Sequence, residues 1–454
     1  MSHRELDVVV IGAGPAGENV AGRVGAAGLE VAIVERHLIG GECSFYACMP
    51  SKSLLRPADA VDEARRIPGA AEAITGRLDV PAVFARRDEV IHDFDDSGQL
   101  PWLDERGVEV VRGSGRLTGE RTVAVGDDQL VARRAVVVAT GSCALIPPID
   151  GLREAQPWTN REITTTHTLP GRLLILGGGV VGVEMADAFS SLGSQVTLVE
   201  AGEGILMGEE PFAAEQVRHA LEQRGVRFVF GAKASAVRRD GAVTVELDGH
   251  EPLTGDEILV AVGRSLNTSD IGLETIGLEP GEPVDVHDTM QNTTHDWLYA
   301  IGECNGRVLL THMGKYQARL AADHILGKPV ELRSDGALSP RVIFTDPQVA
   351  SVGHTEASAR EAGLNIRVVE VGSGANAGGS FYGHDAPGTA RIVVDEDRRV
   401  IVGATFTGVD IGEFIHAATI AVIGEVPLDR LWHAVPSFPT RSELWLRLLE
   451  KYGL

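Results

Sequence analysis

Two cysteines lie close together in the segment GGECSFYACMPSK, residues 40–52, although the chain of 454 residues contains only four cysteines. On one regular helix, residues with the spacing of Cys43 and Cys48 would have Cα atoms about 8 to 9 Å apart. That separation exceeds the ~7 Å that a disulfide tolerates, so a bond between them requires an irregular turn. Strained, accessible disulfides exchange readily with other thiols. The pair therefore predicts redox chemistry.

The residues that follow the pair indicate where the second sulfur lies. Pro50 suits the first turn of a helix, and residues 51–66, SKSLLRPADAVDEARR, read as that helix. Cys48 is therefore expected near the positive N-terminal end of the helix, a position that lowers a thiol pKa.

Three alternatives to a redox role for the two cysteines are weaker. A zinc site would need a second pair of ligands at suitable spacing, and Cys143 and Cys304 do not form one. No metal site is therefore predicted. A purely structural disulfide is unusual in a cytosolic protein. Two unrelated buried thiols are the remaining alternative.

A glycine motif near the N-terminus predicts one dinucleotide-binding site. A largely apolar run at residues 6–11 leads into Gly12-x-Gly14-x-x-Gly17, a helical stretch follows, and a second apolar run ends at Glu35. This order of strand, glycines, helix, strand and acid is the context that the dinucleotide fingerprint requires. The helix N-terminus would hold the phosphates, and Glu35 would accept a hydrogen bond from a ribose hydroxyl.

The same pattern recurs further along the chain. A strand precedes Gly177-x-Gly179-x-x-Gly182, and a helix and a second strand lead to Glu200. Two domains should therefore hold two nucleotides. A carboxylate at position 200 would hydrogen-bond a free 2′-hydroxyl and repel a 2′-phosphate, and residues 201–210 contain no arginine to bind one. NADH is therefore favoured over NADPH.

Three further passages of strand and loop continue this pattern. They are residues 136–151 (VVVATGSCALIPPIDG), residues 257–268 (EILVAVGRSLNT) and DWLYAIGECNG, in which Glu303 follows a strand and could bind a ribityl chain or a ribose. From residue 333 onward, apolar and polar residues alternate, and helical stretches such as EFIHAATIAVIG follow. That arrangement predicts a mixed sheet with helices on one face.

Composition limits the classes of partner. With 41 basic and 64 acidic residues, the net charge is −23, which disfavours nucleic acid or an anionic membrane as a partner. The sequence contains neither a recognisable targeting segment nor an apolar run long enough to span a membrane, so a cytoplasmic protein is expected. Only five of the basic residues are lysines, and one of them, Lys52, directly follows the cysteine pair.

Together these motifs resemble the class I flavoprotein disulfide reductases, the family of dihydrolipoamide dehydrogenase, glutathione reductase and mercuric reductase. The cysteine segment, both glycine motifs, ATGS, VGRSLN, LYAIGECNG and VIFTDPQVASVG follow that family's order over essentially the whole chain. The resemblance implies an α/β fold with two Rossmann-like dinucleotide-binding domains and an α+β dimerisation domain. The implied boundaries are 1–150 with 266–332 for the FAD-binding domain, 151–265 for the NAD(P)-binding domain and 333–454 for the dimerisation domain.

The resemblance also implies roles for single residues. Cys48 would face the flavin as the charge-transfer sulfur, and Cys43 would be the interchange thiol that attacks the substrate. Lys52 would lie beside the flavin N5 edge, neutralised by Glu184. Hydride would pass from NADH to FAD, and electrons would then pass to the disulfide and to an external acceptor, in a homodimer that brings one subunit's C-terminal segment to the other's cysteines. Cofactor contacts are implied for Gly12, Gly14, Gly17, Glu35, Gly41, Lys52, Gly115, Thr140, Gly141, Ser142, Gly177, Gly179, Gly182, Glu184, Glu200, Gly263, Glu303, Thr311 and His312.

The resemblance breaks near the C-terminus. Disulfide-reducing members carry a His-Pro-Thr segment whose imidazole handles the proton of the leaving thiol, with a glutamate five positions later. Here Phe438 occupies the histidine's place, although Glu443 is retained. Thr440-x-x-Glu443 is equally a capping box for the last helix. His433 is either a replacement base carried inward by its loop or a residue packed beside Trp432.

Two functions therefore stay open. The first is an FAD-dependent disulfide oxidoreductase resembling dihydrolipoamide dehydrogenase, with a role in cell redox homeostasis and with His433 and Glu443 as candidate catalytic residues. The alternative is an NAD(P)H dehydrogenase (diaphorase) that reduces quinones or metal ions. A mercuric reductase ranks low, because that enzyme has a further C-terminal cysteine pair and the last cysteine here is Cys304. Glu42 and Glu303 also depart from the Thr and Asp that the family usually has, which could weaken FAD binding or shift its potential.

Overall fold

The computed structural model of the protein describes residues 3–383 and 388–454. The strands, in chain order, are β1 His3–Ile11, β2 Val31–Glu35, β3 Val108–Arg112, β4 Gly115–Gly119, β5 Thr122–Val125, β6 Asp128–Val138, β7 Ser142–Ala144, β8 Arg172–Leu176, β9 Gln195–Glu200, β10 Arg227–Phe230, β11 Ala234–Asp240, β12 Ala242–Leu247, β13 His250–Gly255, β14 Glu257–Val260, β15 Arg264–Leu266, β16 Leu298–Ala300, β17 Arg341–Ile343, β18 Gln348–Gly353, β19 Ile366–Gly372, β20 Thr389–Asp395 and β21 Val400–Gly408.

The α-helices of the same residues are α1 Pro15–Ala26, α2 Gly41–Phe45, α3 Cys48–Arg66, α4 Val80–Val90, α5 Leu100–Asp104, α6 Asn160–Thr165, α7 Val180–Leu192, α8 Pro211–Gln223, α9 Thr311–Ile325, α10 Glu356–Glu361, α11 Ile415–Ile423, α12 Leu428–Leu431 and α13 Glu443–Tyr452. None of these helices has both the length and the apolar character that crossing a membrane demands.

The chain divides into two compact units, each built from segments that are separated in sequence. The first unit contains Asp88–Leu145, Arg264–Gly336 and the chain up to Pro50. The second contains Ser51–Arg87, Ile146–Gly263 and Ala337–Leu454.

The first unit is built on a seven-stranded sheet of order β3-β2-β1-β6-β5-β4, in which β16 also pairs with β6. Strands β1, β2, β3, β6 and β16 pair in parallel with one another, whereas β5 pairs antiparallel with β6 and β4 pairs antiparallel with β5. The β-branched runs of β1 and β2 are almost entirely buried, as expected for parallel strands covered on both faces. Helices α1 and α9 pack on one side, where Val20 and Ala318 join the core around Val10.

The second unit contains three sheets. A parallel sheet of order β10-β9-β8-β14 carries the second glycine motif, and β11, β12 and β13 form a separate antiparallel sheet. Helix α7 is apolar nearly all round and is buried, with Val183, Ala186 and Phe189 packing in one core with Ile175 of β8. This burial fixes the N-terminus of α7 relative to the end of β8.

The third sheet of the second unit, of order β17-β18-β21-β20-β19, is antiparallel throughout. The predicted mixed sheet is therefore wrong. Short links such as 344–347 and 396–399 join neighbouring strands, and such links can connect only antiparallel partners. Helices α11 and α13 share one buried face, but α10 contributes Ala359 to a cluster with Val393 and Val402, so helices are not confined to one face.

Candidate functional site

The loop between β1 and α1, in the first unit, has room for a phosphate beside its backbone. Gly12 has a φ of 102°, and a Cβ there would lie 2.5 Å from the carbonyl oxygen of Ala139. A Cβ on Gly17 would lie 1.9 Å from the carbonyl oxygen of Gly12, whereas a Cβ on Gly14 would meet no described atom within 4 Å. The chain is thus tightly packed at Gly12 and Gly17 but open at Gly14, directly before the helix N-terminus that favours anions.

Glu35 and Gly41 border this open position. Glu35 Oε2 accepts a hydrogen bond from the backbone N–H of Ala13 at 2.8 Å, and Oε1 accepts one from the backbone N–H of His37 at 2.7 Å. A Cβ on Gly41 would lie 2.8 Å from the Cα of Gly14. Each oxygen of a carboxylate can accept a further hydrogen bond, so the loop presents an oriented acid beside an uncovered backbone.

The end of β6 adds a second group of polar residues. Thr140 Oγ1 is buried and has no hydrogen-bond partner within the described residues, and Gly141 follows with a φ of 67°. Ser142 Oγ hydrogen-bonds the carboxylate of Glu303, while Arg264 Nε donates to Ser142 Oγ at 2.5 Å and lies 3.5 Å from Glu303 Oε2. Arg264 was not selected from the sequence, although it lies within the VGRSLN motif.

These features fit an FAD in the first unit. The tight glycines and the open Gly14 can accommodate a pyrophosphate, and Glu35 can bind a ribose hydroxyl. The unsatisfied hydroxyl of Thr140 is what a polar ligand would complete. Gly115 contributes differently, because a Cβ there would lie 3.1 Å from Ile11 Cγ2. It allows β4 to approach the end of β1.

The loop between β8 and α7, in the second unit, repeats the geometry of the first. A Cβ on Gly177 would lie 2.4 Å from the carbonyl oxygen of Ala261, and one on Gly182 would lie 2.0 Å from the carbonyl oxygen of Gly177. Gly179, like its counterpart in the first unit, has open space where a Cβ would stand. The residues therefore fit a second dinucleotide.

Glu200 is the acid of this second loop. Its Oε2 accepts a hydrogen bond from the backbone N–H of Gly178 at 2.6 Å, and its Oε1 accepts one from the backbone N–H of Gly202 at 2.7 Å. Gly263, with a φ of 148°, is exposed at the end of the segment that follows β14. The carboxylate thus stands at the edge of the glycine loop, where a ribose of the bound nucleotide would lie.

The two cysteines lie on separate helices of the first unit's N-terminal segment. Cys43 is in α2, Cys48 is the first residue of α3, and Tyr46 between them has φ −133° and ψ −2°. The predicted irregular turn is therefore present, and Cys48 lies at a helix N-terminus as expected. The structure holds the pair in its dithiol form, with both side chains partly buried and hydrogen-bonded to each other.

Thr311, the first residue of α9, contacts the dithiol. Its Oγ1 lies 3.4 Å from Cys48 Sγ, and it also hydrogen-bonds Cys43. The hydrogen bond from Cys48, and then burial, raise the pKa of the Cys43 thiol, whereas Thr311 and the positive charge of Lys315 oppose this rise. Cys48 itself is the first residue of α3. His312 is exposed.

Lys52 and Glu184 form an ion pair in the second unit. Lys52 Nζ lies 2.7 Å from Glu184 Oε2, and the side chains are 34% and 4% exposed. Glu184 Oε1 accepts from the backbone N–H of Phe344 at 3.0 Å, and the ammonium lies 4.8 Å from the centre of the Phe344 ring. Lys52 follows Cys48 by four positions in α3, so the helix carries a paired lysine one turn beyond the sulfur.

The terminal segment, which we define as residues 432–443, differs from the expected acid–base site. Phe438 is 76% exposed and His433 is exposed as well. Glu443 is buried, and its Oε2 has no hydrogen-bond partner in the part of the chain that the structure describes. The alternative of a capping box is wrong, because α13 begins only at Glu443 and Thr440 Oγ1 donates to the carbonyl of Ser437 at 2.6 Å.

A buried ionic cluster in the second unit was not found from the sequence. Arg224 lies 2.9 Å from Asp187, 2.6 Å from Asp62 and 3.3 Å from Asp346. Burial raises the pKa of Asp187 to about 6, and burial with the charges of Asp187 and Asp346 raises the pKa of Asp59 to about 7. Asp59 and Asp62 lie on α3, so this cluster fixes the part of α3 that belongs to the second unit. Its members are too far apart in sequence for spacing to reveal them.

Two dinucleotide loops, one of them followed by a paired dithiol, define a flavin- and nicotinamide-dependent oxidoreductase with redox-active cysteines. Residues 6–318 match the family described as pyridine nucleotide-disulphide oxidoreductase, and residues 339–448 match the dimerisation domain of that family. The chain therefore belongs to the pyridine nucleotide-disulphide oxidoreductase family and is an FAD- and pyridine nucleotide-dependent enzyme. The resemblance and the α/β fold predicted from the sequence are confirmed.

The similarity to known proteins extends over nearly the whole chain. The chain is 31% identical over 447 residues to a dihydrolipoyl dehydrogenase of Chlamydia muridarum, which covers 97% of this chain and 95% of that protein. It is 27% identical over 449 residues to a mercuric reductase of Staphylococcus aureus, covering 97% and 81%. A solved Cu(II) complex of the HOCl-induced flavoprotein disulfide reductase RclA from Escherichia coli superposes with a TM-score of 0.86 at 26% identity, covering 98% and 99%.

Proposed function

We propose that the enzyme delivers electrons from NADH, through the Cys43–Cys48 pair, to a disulfide acceptor of the kind that dihydrolipoamide dehydrogenases use, such as lipoamide. The observation that carries this proposal is the contact between the two thiols, with the Thr311 hydroxyl bonded to both. When bound, FAD supplies the hydride chemistry that links a nicotinamide to a disulfide. The exchange with the acceptor is the work of the chain's own sulfurs.

The proposed exchange has two steps. The thiolate of Cys43 attacks one sulfur of the acceptor, the acceptor's S–S bond breaks, and a mixed disulfide forms while the other acceptor sulfur takes up the proton that Cys43 released. The thiolate of Cys48 then attacks the Cys43 sulfur, releases the second acceptor thiol and closes the Cys43–Cys48 disulfide. One electron pair thus passes to the acceptor, and the dithiol supplies both protons.

Lys52, Glu184, His433 and Glu443 belong to this proposal as supporting residues. The 2.7 Å ion pair keeps the Lys52 charge in a fixed place, and the burial of Glu443 supports a role for its carboxylate in proton transfer. His433 is exposed and stays a candidate proton carrier in this proposal. The further cofactor contacts stay proposals on the same footing, as do the domain boundaries 1–150 with 266–332, 151–265 and 333–454.

NADH is the nucleotide that we propose for the second loop. The carboxylate of Glu200 is fixed by the backbone N–H groups of Gly178 and Gly202, so it would face a 2′-phosphate as a fixed negative charge. Residues 201–210 contain no arginine that could offset this repulsion. A lower KM for NADPH than for NADH would contradict this part of the proposal.

A homodimer is the proposed working form, and the cytoplasm, where nicotinamide cofactors are reduced and oxidised, is the proposed location. The matched dimerisation domain exposes the large apolar side chains of Ile420, Trp432, Val435 and Phe438. A contact between two copies would cover apolar surface of this kind. The measured mass of the holoenzyme in solution tests the dimer.

Metal-ion reduction is the second candidate function. The exposed Phe438 provides no group to transfer a proton to a leaving thiol, and metal ions need no such proton. The similar RclA structure is a complex with Cu(II), so Cu(II) is the first metal to test. The S. aureus relative is named a mercuric reductase, yet this chain has no cysteine beyond Cys304.

Steady-state turnover of the FAD-loaded enzyme separates these candidates. Under anaerobic conditions with NADH, we expect lipoamide reduction by the wild-type enzyme and none by Cys43→Ser or Cys48→Ser. Cys143→Ser, which changes an exposed cysteine of the same unit, is the matched control and should leave turnover unchanged. Quinone or Cu(II) reduction that survives both substitutions, with no lipoamide reduction by the wild type, would contradict the proposal.

A further inference from the structure

Cys43 must form a thiolate to attack a disulfide, and the terminal segment offers no imidazole at position 438 to help. Cys43 is the proposed attacking sulfur, yet its neighbour Cys48 and its burial both disfavour its thiolate. Family members that reduce disulfides would rely on an imidazole at the position of Phe438. Phe438 can neither accept a proton nor carry a charge, so another group must favour the thiolate of Cys43.

Helix α9 supplies such a group in the first unit. The hydroxyl of Thr311, at the start of this helix, reaches both thiols. Residues four positions apart lie on one face of a helix, one turn from each other. The residue four positions after Thr311 is Lys315, whose side chain is exposed. Lys315 thus follows, one turn along α9, the residue whose hydroxyl contacts both thiols.

The positive charge of Lys315 acts on two acidic groups of the first unit. It lowers the pKa of Cys43, and it also opposes the rise in the pKa of Glu18, a residue of α1. Burial raises the pKa of Glu18 to about 7, and the negative charges of Glu35 and Asp96 contribute to this rise. Glu18 is therefore partly ionised at neutral pH and offsets part of the lysine's charge.

Other ionisable groups lie on the elements that carry the two cysteines and Thr311. Cys48 hydrogen-bonds it directly, Glu42 precedes it in α2, and His312 lies next to Thr311 in α9. Successive residues of a helix are rotated by about 100°, so His312 does not share the face of Thr311 and Lys315. Lysine is rare in this chain, with five among 41 basic residues, and that rarity is the sequence signal that could have drawn attention to position 315.

We propose that Lys315 is a positioning residue that stabilises the thiolate of Cys43 during disulfide exchange, in place of the imidazole that Phe438 replaces. The inference rests on the proposed thiol chemistry. The ammonium group keeps its own proton and favours the charged sulfur before it attacks the acceptor. The atoms and electrons exchanged are those of the two steps above.

The pH dependence of Cys43 alkylation tests the proposal without any acceptor. The protein is the FAD-loaded Cys48→Ser variant, the probe is iodoacetamide, and peptide mass spectrometry separates Cys43 from Cys143 and Cys304. We expect Lys315→Met to raise the pH midpoint by about one unit, which slows alkylation at pH 7 about tenfold. Lys315→Arg should keep the midpoint close to that of the parent.

Two further variants distinguish a specific effect of the Lys315 charge from a general effect of removing one positive charge. Lys328→Met removes the same charge from the same unit, where Lys328 pairs with Asp323 at 3.0 Å, and it should leave the midpoint unchanged. Glu18→Gln should lower the midpoint, because the lysine's charge is then no longer offset. Bound FAD, read from its visible absorption, reports the folding of each variant.

The outcomes separate this inference from the proposed function. An unchanged midpoint in Lys315→Met, an equal shift in Lys328→Met, or a rise in Glu18→Gln overturns the role of Lys315. If Lys315→Met fails to bind FAD, the midpoints of Lys315→Arg and Glu18→Gln still decide the question. A wild-type enzyme that never reduces a disulfide contradicts the proposed function, whatever the alkylation profile shows.

Discussion

The segment around the cysteines and the terminal segment differ in how far their polar groups are paired with partners. In residues 40–52 both thiols have hydrogen-bond partners, and Lys52 is paired with a buried acid. In residues 432–443 a phenyl ring is 76% exposed, and Glu443 is buried with an oxygen that has no partner among the described residues. The first segment therefore retains the groups of the proposed electron transfer, whereas the terminal segment has a phenyl ring where an imidazole was expected and retains the acid.

The largest change is expected from restoring the missing base. Phe438→His should raise lipoamide turnover by about 10²-fold, because a positioned general acid–base contributes that much or more. The check is kcat with NADH and lipoamide under anaerobic conditions. Val435→His places an imidazole at another exposed apolar position of the same segment and should leave kcat unchanged. Equal rates for Phe438→His and the wild type would argue that the acceptor is not a disulfide of this kind.

A double substitution sharpens the same comparison. In the wild-type background, Glu443→Gln should change lipoamide turnover little, because the acid has no imidazole to orient. In the Phe438→His background the same change should remove most of the gain, since the tautomer and position of an imidazole depend on its partner. The measurement is a double-mutant cycle on kcat. If the effects of the two substitutions on kcat are additive, Glu443 does not orient an imidazole at position 438, and this prediction is contradicted.

Substitution of Lys52 measures how much its ion pair with Glu184 contributes to the stability of the protein. Lys52→Met leaves the carboxylate of Glu184, only 4% exposed, without its cation. We expect a loss of about 2 kcal/mol in the free energy of unfolding, less than for a fully buried pair because Lys52 itself keeps contact with water. Urea unfolding of the FAD-loaded enzyme gives the value. Lys451→Met, at an exposed lysine, should cost well below 1 kcal/mol.

The smallest expected effect is on the pH dependence of stability, and it concerns the ionic cluster around Arg224, to which α3 contributes Asp59 and Asp62. The pKa of Asp59 in the folded chain is raised to about 7, so the folded state binds a proton that the unfolded state has lost. Stability should therefore fall as pH rises from about 4 to 7. Asp59→Asn should reduce this fall by about 1 kcal/mol in urea unfolding, whereas the exposed control Asp240→Asn should not. A steeper fall in Asp59→Asn would contradict the raised pKa.

The parts that could be predicted from sequence depend on local rules. The strand, glycine motif and helix at Gly12 and at Gly177 follow from close backbone approaches that only glycine allows. The irregular turn between Cys43 and Cys48 follows from helix geometry alone. Each motif is recognised from residues a few positions apart, although the backbone that Gly12 and Gly177 approach, at Ala139 and Ala261, lies much later in the chain.

The parts that escaped prediction depend on tertiary contacts. The cluster around Arg224 joins residues 62, 187 and 346, which no spacing rule connects. The capping box at Thr440 failed because its hydroxyl bonds backward to Ser437 and the helix starts later. The contact of α9 with the two thiols through Thr311, one turn before Lys315, depends on how α9 packs, and the sequence carried only the rarity of lysine as a signal.

The direct test of the central claim is an anaerobic titration of the FAD-loaded enzyme with NADH, counting the reducing equivalents that each chain takes up. If the Cys43–Cys48 pair exchanges electrons with the nicotinamide, the oxidised wild-type enzyme accepts one electron pair for its flavin and a second for its disulfide. Cys48→Ser then accepts only the first. A wild-type enzyme that accepts no more than Cys48→Ser would contradict the account.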